Sequence, residues 1–221
     1  MERMLYRLPK SVVIAVMLFF SGCNSKSNNT AAIKALQENL ESSNKSIQIS
    51  SQINLQSLQE KTTKATTKRR ADVWFPKASQ IAKLSSDAFN CIEQLKKMKE
   101  INSEKAKELL TYLMKYKENV LSIDSAIRLE FEKKFSSFLN SSVTIEEANR
   151  SFYNTFFKGA SPLQTSAILT KFQNDVTLSE NKLTTFCNLQ IGLLDGHGYF
   201  SSFSAIISLN RKYVKAGDNI E

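Results

Sequence analysis

The chain has 221 residues with six glycines, three prolines and 42% hydrophobic residues, room for one domain or a domain plus a fragment, with long helices favoured over a turn-rich β fold. That apolar fraction builds a core and excludes a polytopic membrane protein. The formal charge is +9, but the lysines are spread along helical segments instead of interleaving with aromatics in one patch, so nucleic acid is not an expected partner.

Residues 1–22 read as a lipoprotein-type signal peptide. Met1–Lys10 is basic, with Arg3, Arg7 and Lys10, and Val12–Phe20 (VVIAVMLFF) is a short apolar run. Such a run is far below the roughly 20 residues that about 30 Å of hydrocarbon demands, so it reads as a targeting segment. Phe20-Ser21-Gly22-Cys23 then resembles a bacterial lipobox, which makes Cys23 the lipidated first residue of the mature chain. An ordinary cleaved signal with an incidental cysteine, or a short uncleaved anchor, fits the same residues. Asn24 follows Cys23, which in the enterobacterial scheme points to the outer membrane. The expected location is the periplasm, with membrane attachment through the lipid anchor. Export permits a disulfide between Cys91 and Cys187, but two small buried residues with free thiols is the favoured reading.

Residues 23–30 form a polar tether, and a helical bundle is expected over 31–190. Its first helix, from Ala31, carries Ile33, Leu36, Leu40, Ile47, Leu55 and Leu58 on a roughly heptad stripe among Ser, Asn and Gln. Lys61–Arg70 (KTTKATTKRR) interrupts it as a basic loop or frayed end, solvated or attracted to anionic headgroups. The second helix is expected near Pro76, with Ile81, Leu84, Ala88, Cys91/Ile92, Leu95 and Met98 inward and Trp74 and Phe75 plugging one end just before it. Asn102 or Ser103 caps a third helix with Ala106, Leu109/Leu110, Leu113, Tyr116 and Val120 inside. Ser122–Asp124 is a turn or a bend before Ile127, Phe131, Phe135 and Phe138.

Thr144-x-x-Glu147 is a capping box for a shorter helix, with Phe152 and Phe156 inward and Gly159 as its C-cap. Ser161, Pro162 and Gln164 then start the longest helix, Ser161–Asn188. Its apolar face is Ile168/Leu169, Phe172, Val176, Leu183 and Phe186/Cys187, with Lys171, Asn174, Asp175, Glu180 and Lys182 mostly off it. Short connections favour antiparallel neighbours. The fold class is therefore mainly α, an elongated up-and-down helix bundle. Residues 200–221, with Phe203–Leu209 and Lys212–Lys215 as β-prone runs, look like the start of an incomplete β domain.

No catalytic, cofactor-binding or metal-binding set is expected. His197 is the sole histidine and lies between two glycines. No HExxH, phosphate-binding glycine loop, GxSxG or CxxC occurs. Glu146/Glu147 and Glu130/Glu132 are better explained by capping and solvated helix faces.

Three segments resemble the periplasmic part of the GldM/PorM family of gliding-motility and type IX secretion subunits. One is Ser161–Asn188, above all ILTKFQNDVTLSENKL. The second is Gln190-Ile191-Gly192 followed by Phe203–Ile207 and Tyr213-Val214-Lys215-Ala216-Gly217-Asp218. The third, weaker, is Ala35–Ile47. The resemblance implies a non-enzymatic, protein-binding role, with GldL-, GldK- or GldN-like subunits as partners and a homodimer as an option. It also implies a departure: a lipobox stands where the family has its spanning helix, and most of the β region is missing. The leading expectation is a lipid-anchored structural or adaptor component of the envelope. A split-gene or degenerate fragment of a full-length relative, and a periplasmic ligand-binding sensor bundle, are the alternatives.

Overall fold

The computed structural model describes residues 26–98, 100–135 and 144–192, and these are mainly helical. Six helices appear among them: α1 Lys26–Lys61, α2 Lys68–Lys96, α3 Ser103–Leu121, α4 Ser125–Phe131, α5 Ile145–Phe156 and α6 Pro162–Gly192. Cys23, His197, Phe138 and the expected strands within 200–221 lie outside the described residues. None of the described helices is long and apolar enough to cross a membrane.

Local chemistry accounts for most helix starts. At α6, Ser161 Oγ accepts from the Gln164 amide at 3.3 Å and the Ser161 amide donates to Gln164 Oε1 at 2.8 Å, with Pro162 in the first helical position. Thr144 and Glu147 make the equivalent reciprocal pair at α5. Asn102 caps α3 through the Lys105 amide at 2.9 Å, and Asp124 caps α4 through the Ala126 amide at 2.7 Å. Ser122–Asp124 is thus a turn. Gly159, at φ 74°, takes the left-handed conformation that glycine adopts freely and so turns the chain beyond α5.

The expected starts of the first two helices need correcting. The tether is shorter than expected, because α1 is already helical at Lys26. The second helix begins at Lys68, so Trp74, Phe75 and Pro76 lie inside it. The basic stretch divides accordingly: only residues 62–67 form the turn, tied down by Thr67 Oγ1 donating to the Lys61 carbonyl at 2.8 Å. Proline marks a helix start only where it stands in the first turn; Pro76 sits further in and leaves the Asp72 carbonyl without its usual donor.

Contacts give each helix its direction. Arg70 reaches the Ile191 carbonyl, Trp74 meets Phe186, and Gln173 meets Glu93, so α2 and α6 are antiparallel. Ser85 with Tyr116, and Lys77 with Asp124, make α3 antiparallel to α2. Asn149 with Ser103, and Lys107 with Glu146, do the same for α5 and α3. The first and last helices break the pattern. Bonds between them join Asn54 to Thr185 and Ser57 to Asn188, both at a separation of 131 residues. A constant offset means a parallel pair in register. One core runs through the bundle, with Leu58, Ile81, Ile92, Leu109, Leu110, Leu121, Leu169 and Leu183 essentially fully buried, each stabilising by roughly 1.5–3 kcal/mol.

Candidate functional site

The central helix α6 is buried on two faces. Its expected apolar face is inside: Leu169, Phe172, Val176, Leu183 and Cys187 are at most 4% exposed. Phe172 packs against Phe152 and Phe156 of α5, and Phe186 against Trp74 of α2 and Phe131 of α4. The second face lies off the expected apolar stripe and is buried too. Asn174, expected mostly off the buried face, is 9% exposed, because α1 covers that side as well. A hydropathy pattern cannot flag a helix face that is buried but polar.

This second face has its own heptad. Thr170, Asn174, Thr177, Asn181, Thr184 and Asn188 alternate at spacings of four and three. The three threonines satisfy their hydroxyls within the helix, on the carbonyls of Ser166, Gln173 and Glu180. The asparagines face α1. Asn174 Nδ2 donates to Asn44 Oδ1 at 2.8 Å and lies 3.3 Å from Ser43 Oγ. Asn188 Oδ1 accepts from Lys61, and its amide nitrogen lies 3.5 Å from Ser57 Oγ. In the layer between, Asn181 Nδ2 and Ser51 Oγ are both buried without a partner.

Gln173 and Asn174 together join three helices. The Gln173 amide donates to Glu93 Oε2 at 2.8 Å and lies 3.4 Å from the Phe89 carbonyl, both on α2, while its oxygen accepts from Lys96 at 3.4 Å. Lys96 also pairs with Glu41 of α1 at 3.3 Å. That pairing and a hydrogen bond from Gln37 hold the Glu41 carboxyl below its usual pKa, the Gln37 bond being the larger cause. One step along, Asn174 takes hold of α1. Adjacent residues on α6 therefore clamp α2 and α1 on either side.

Chemistry elsewhere is sparse. No group of His, Cys, Asp or Glu among the described residues is arranged to hold a metal ion. Glu147 is a cap, Glu146 lies 4.0 Å from Lys107, Glu130 pairs with Lys134 and Glu132 with Arg128. Cys91 and Cys187 are free thiols. Gln173 sits against Glu93, close to Cys91, and Cys187 is fourteen residues further along α6. That is about 21 Å at 1.5 Å per residue, far beyond disulfide reach. Burial pushes the Cys187 thiol up to about 12, which suppresses the thiolate needed for reactivity. Burial alone likewise raises the Glu180 carboxyl to about 7. Glu180, expected mostly off the apolar face, lies on the flank of α6 between the polar and apolar seams.

Among the described residues the outer surface carries exposed Ile49 and Ile53 on α1 and exposed Leu178 and Leu189 on α6. At the α1–α2 turn, Thr66, Arg69, Arg70, Val73 and Trp74 line a shallow recess. No family model matches the chain, and neither a curated protein nor a solved structure matches it.

Proposed function

We propose that this chain is a non-enzymatic structural or adaptor component of a bacterial cell envelope, lipid-anchored at Cys23 and descended from the helical domain of GldM-like proteins. The elongated up-and-down bundle with a β domain beginning at 200–221 belongs to the same reading. The observation that supports it most is the role of the QNDV stretch. Gln173 and Asn174, the polar heart of the family-like segment, hold three helices together through side-chain hydrogen bonds. Such residues serve the alignment of long helices, which is what a spacer or scaffold needs. Partners would bind through helix faces, with Ile49, Ile53, Leu178 and Leu189 as the exposed apolar contacts.

Two experiments test the reading. Radioactive palmitate should label the wild-type chain and leave Cys23→Ala unlabelled; equal labelling removes the anchor. Affinity capture from a native envelope should recover GldL-, GldK- or GldN-like subunits. Recovery of none of them removes the adaptor role.

A further inference from the structure

We infer that α1 is a detachable arm, which undocks from α6 as a unit by pivoting at residues 62–67 while the remaining helices stay packed. Its seam is the first reason. Ile33, Gln37, Leu40, Asn44, Ile47, Ser51, Asn54 and Leu58 recur at spacings of four and three along α1. Of these, the fully inward positions are Asn44 at 3%, Ser51 at 1% and Leu58 at 0% exposure. Two of the three are polar. By contrast α2 buries Ala71, Ala78, Ile81, Ala88, Ile92 and Leu95 along with one serine.

Polar seams and apolar seams open at different cost. An exchanged hydrogen bond is replaced by one to water, so its net contribution is smaller than that of a buried aliphatic side chain. Opening α1 wets Thr170, Asn174, Thr177, Asn181, Thr184 and Asn188 on one side and Asn44, Ser51 and Asn54 on the other, with Leu58 and part of Leu55 as the main apolar losses. Opening any other long helix wets leucine and phenylalanine. The outer face of α1 is mixed, with Ser42, Ser46, Gln52 and Gln56 exposed beside Leu36, Ile49 and Ile53.

One layer of the seam works against docking. Ser51 and Asn181 occupy the layer one heptad beyond Asn44 and Asn174, at the same 130-residue separation. Serine is too short to do what Asn44 does, and both polar atoms stay buried and unpaired. Each such group is a desolvation penalty in the docked state that disappears once it is wet. The paired layers do a different job. Amide pairs at inward heptad positions fix register at some expense of stability, so the arm has one alignment to return to. It is tethered to the rest of the described bundle by the short turn at 62–67.

Native-state hydrogen exchange of the full chain, read by mass spectrometry, tests this. Amides of residues 44–58 should share one opening and exchange at least about tenfold faster than those of residues 176–190 of α6. Equal rates in the two helices would overturn the inference. Rates that fall smoothly with distance from the N-terminus would do so too, since fraying gives a gradient and undocking a common value. The paired variant Asn44→Leu with Asn174→Leu makes that layer apolar. It should slow exchange over 44–58 by about tenfold or more and leave α3 amides unchanged. Unchanged exchange over 44–58 in that variant would also refute it.

Discussion

Glu180 shows how one side chain imprints pH dependence on a bundle. Its carboxyl is raised to about 7 by burial, with Tyr116 of α3 as the titratable neighbour that interacts with it. Between the ordinary value of 4.5 and about 7, the native state holds a proton that the unfolded chain has released. Stability therefore falls as pH rises through that window and levels off above it. Glu180→Gln should flatten this dependence, seen as equal urea midpoints at pH 5 and pH 8; a slope unchanged from wild type would contradict it. Asp124 and Glu41 titrate in the opposite sense. Their pKa values are lowered, Asp124 through Lys77 and the α4 cap against an opposing burial effect, so their contribution is lost only on acidification below the ordinary carboxylate range. Gln173 was invisible as a candidate because glutamine has no fixed place in a hydropathy pattern. Gln173→Ala leaves Glu93 and Lys96 without their amide partner, and about 1–2 kcal/mol should be lost in urea unfolding.

At the scale of the helix, side-chain caps were legible and the long-range seams were not. Ser161, Thr144 and Asn102 act on amides three residues away, so sequence alone contains both partners. Pro76 suggests a first turn and so a late start for α2, whereas Lys68–Phe75 already packs helically with Ala71 buried and Trp74 against Phe186. Pro76→Ala should let the Asp72 carbonyl regain a donor and raise the thermal midpoint, with a gain of about 1–3 kcal/mol. No gain would mean that the core requires a bend there. The stripe expected on α1 also shifted: Leu36, read as inward, is 53% exposed, and Asn44 and Ser51 take inward positions. Ser51→Asn restores the reach that Asn44 has toward its partner, and should stabilise the α1·α6 pair by about 1 kcal/mol in chemical denaturation.

For the molecule as a whole, α6 is the common wall of two assemblies with different chemistry. On one side leucine and phenylalanine from α2, α3 and α5 close a dry core; on the other, α1 lies along threonine and asparagine. This arrangement gives the two described cysteines distinct reactivities. Cys91 is partly exposed, while Cys187 is buried in the dry core with its thiol at about 12. Alkylation mapped by peptide mass should modify Cys91 in the native protein. Cys187 should react only as fast as the dry core opens, even when the α1 seam is already exchanging. Equal labelling of the two thiols under native conditions would show that the core is not closed as described.

The sequence by itself determined the helical class, the start and apolar face of α6, and the caps of α3, α5 and α6, but not that α1, at 36 residues, is longer than α6, at 31. Each depends on residues within a few positions of one another, where spacing and side-chain chemistry are sufficient. Only the tertiary structure decided that the first and last helices run parallel, and that asparagine and threonine form a buried seam between them. It also decided that Glu180 is half-buried. Those facts depend on which helix covers which face. A polar residue looks the same in sequence whether water or a side chain of another helix satisfies it, and only the partner 131 residues away distinguishes the two.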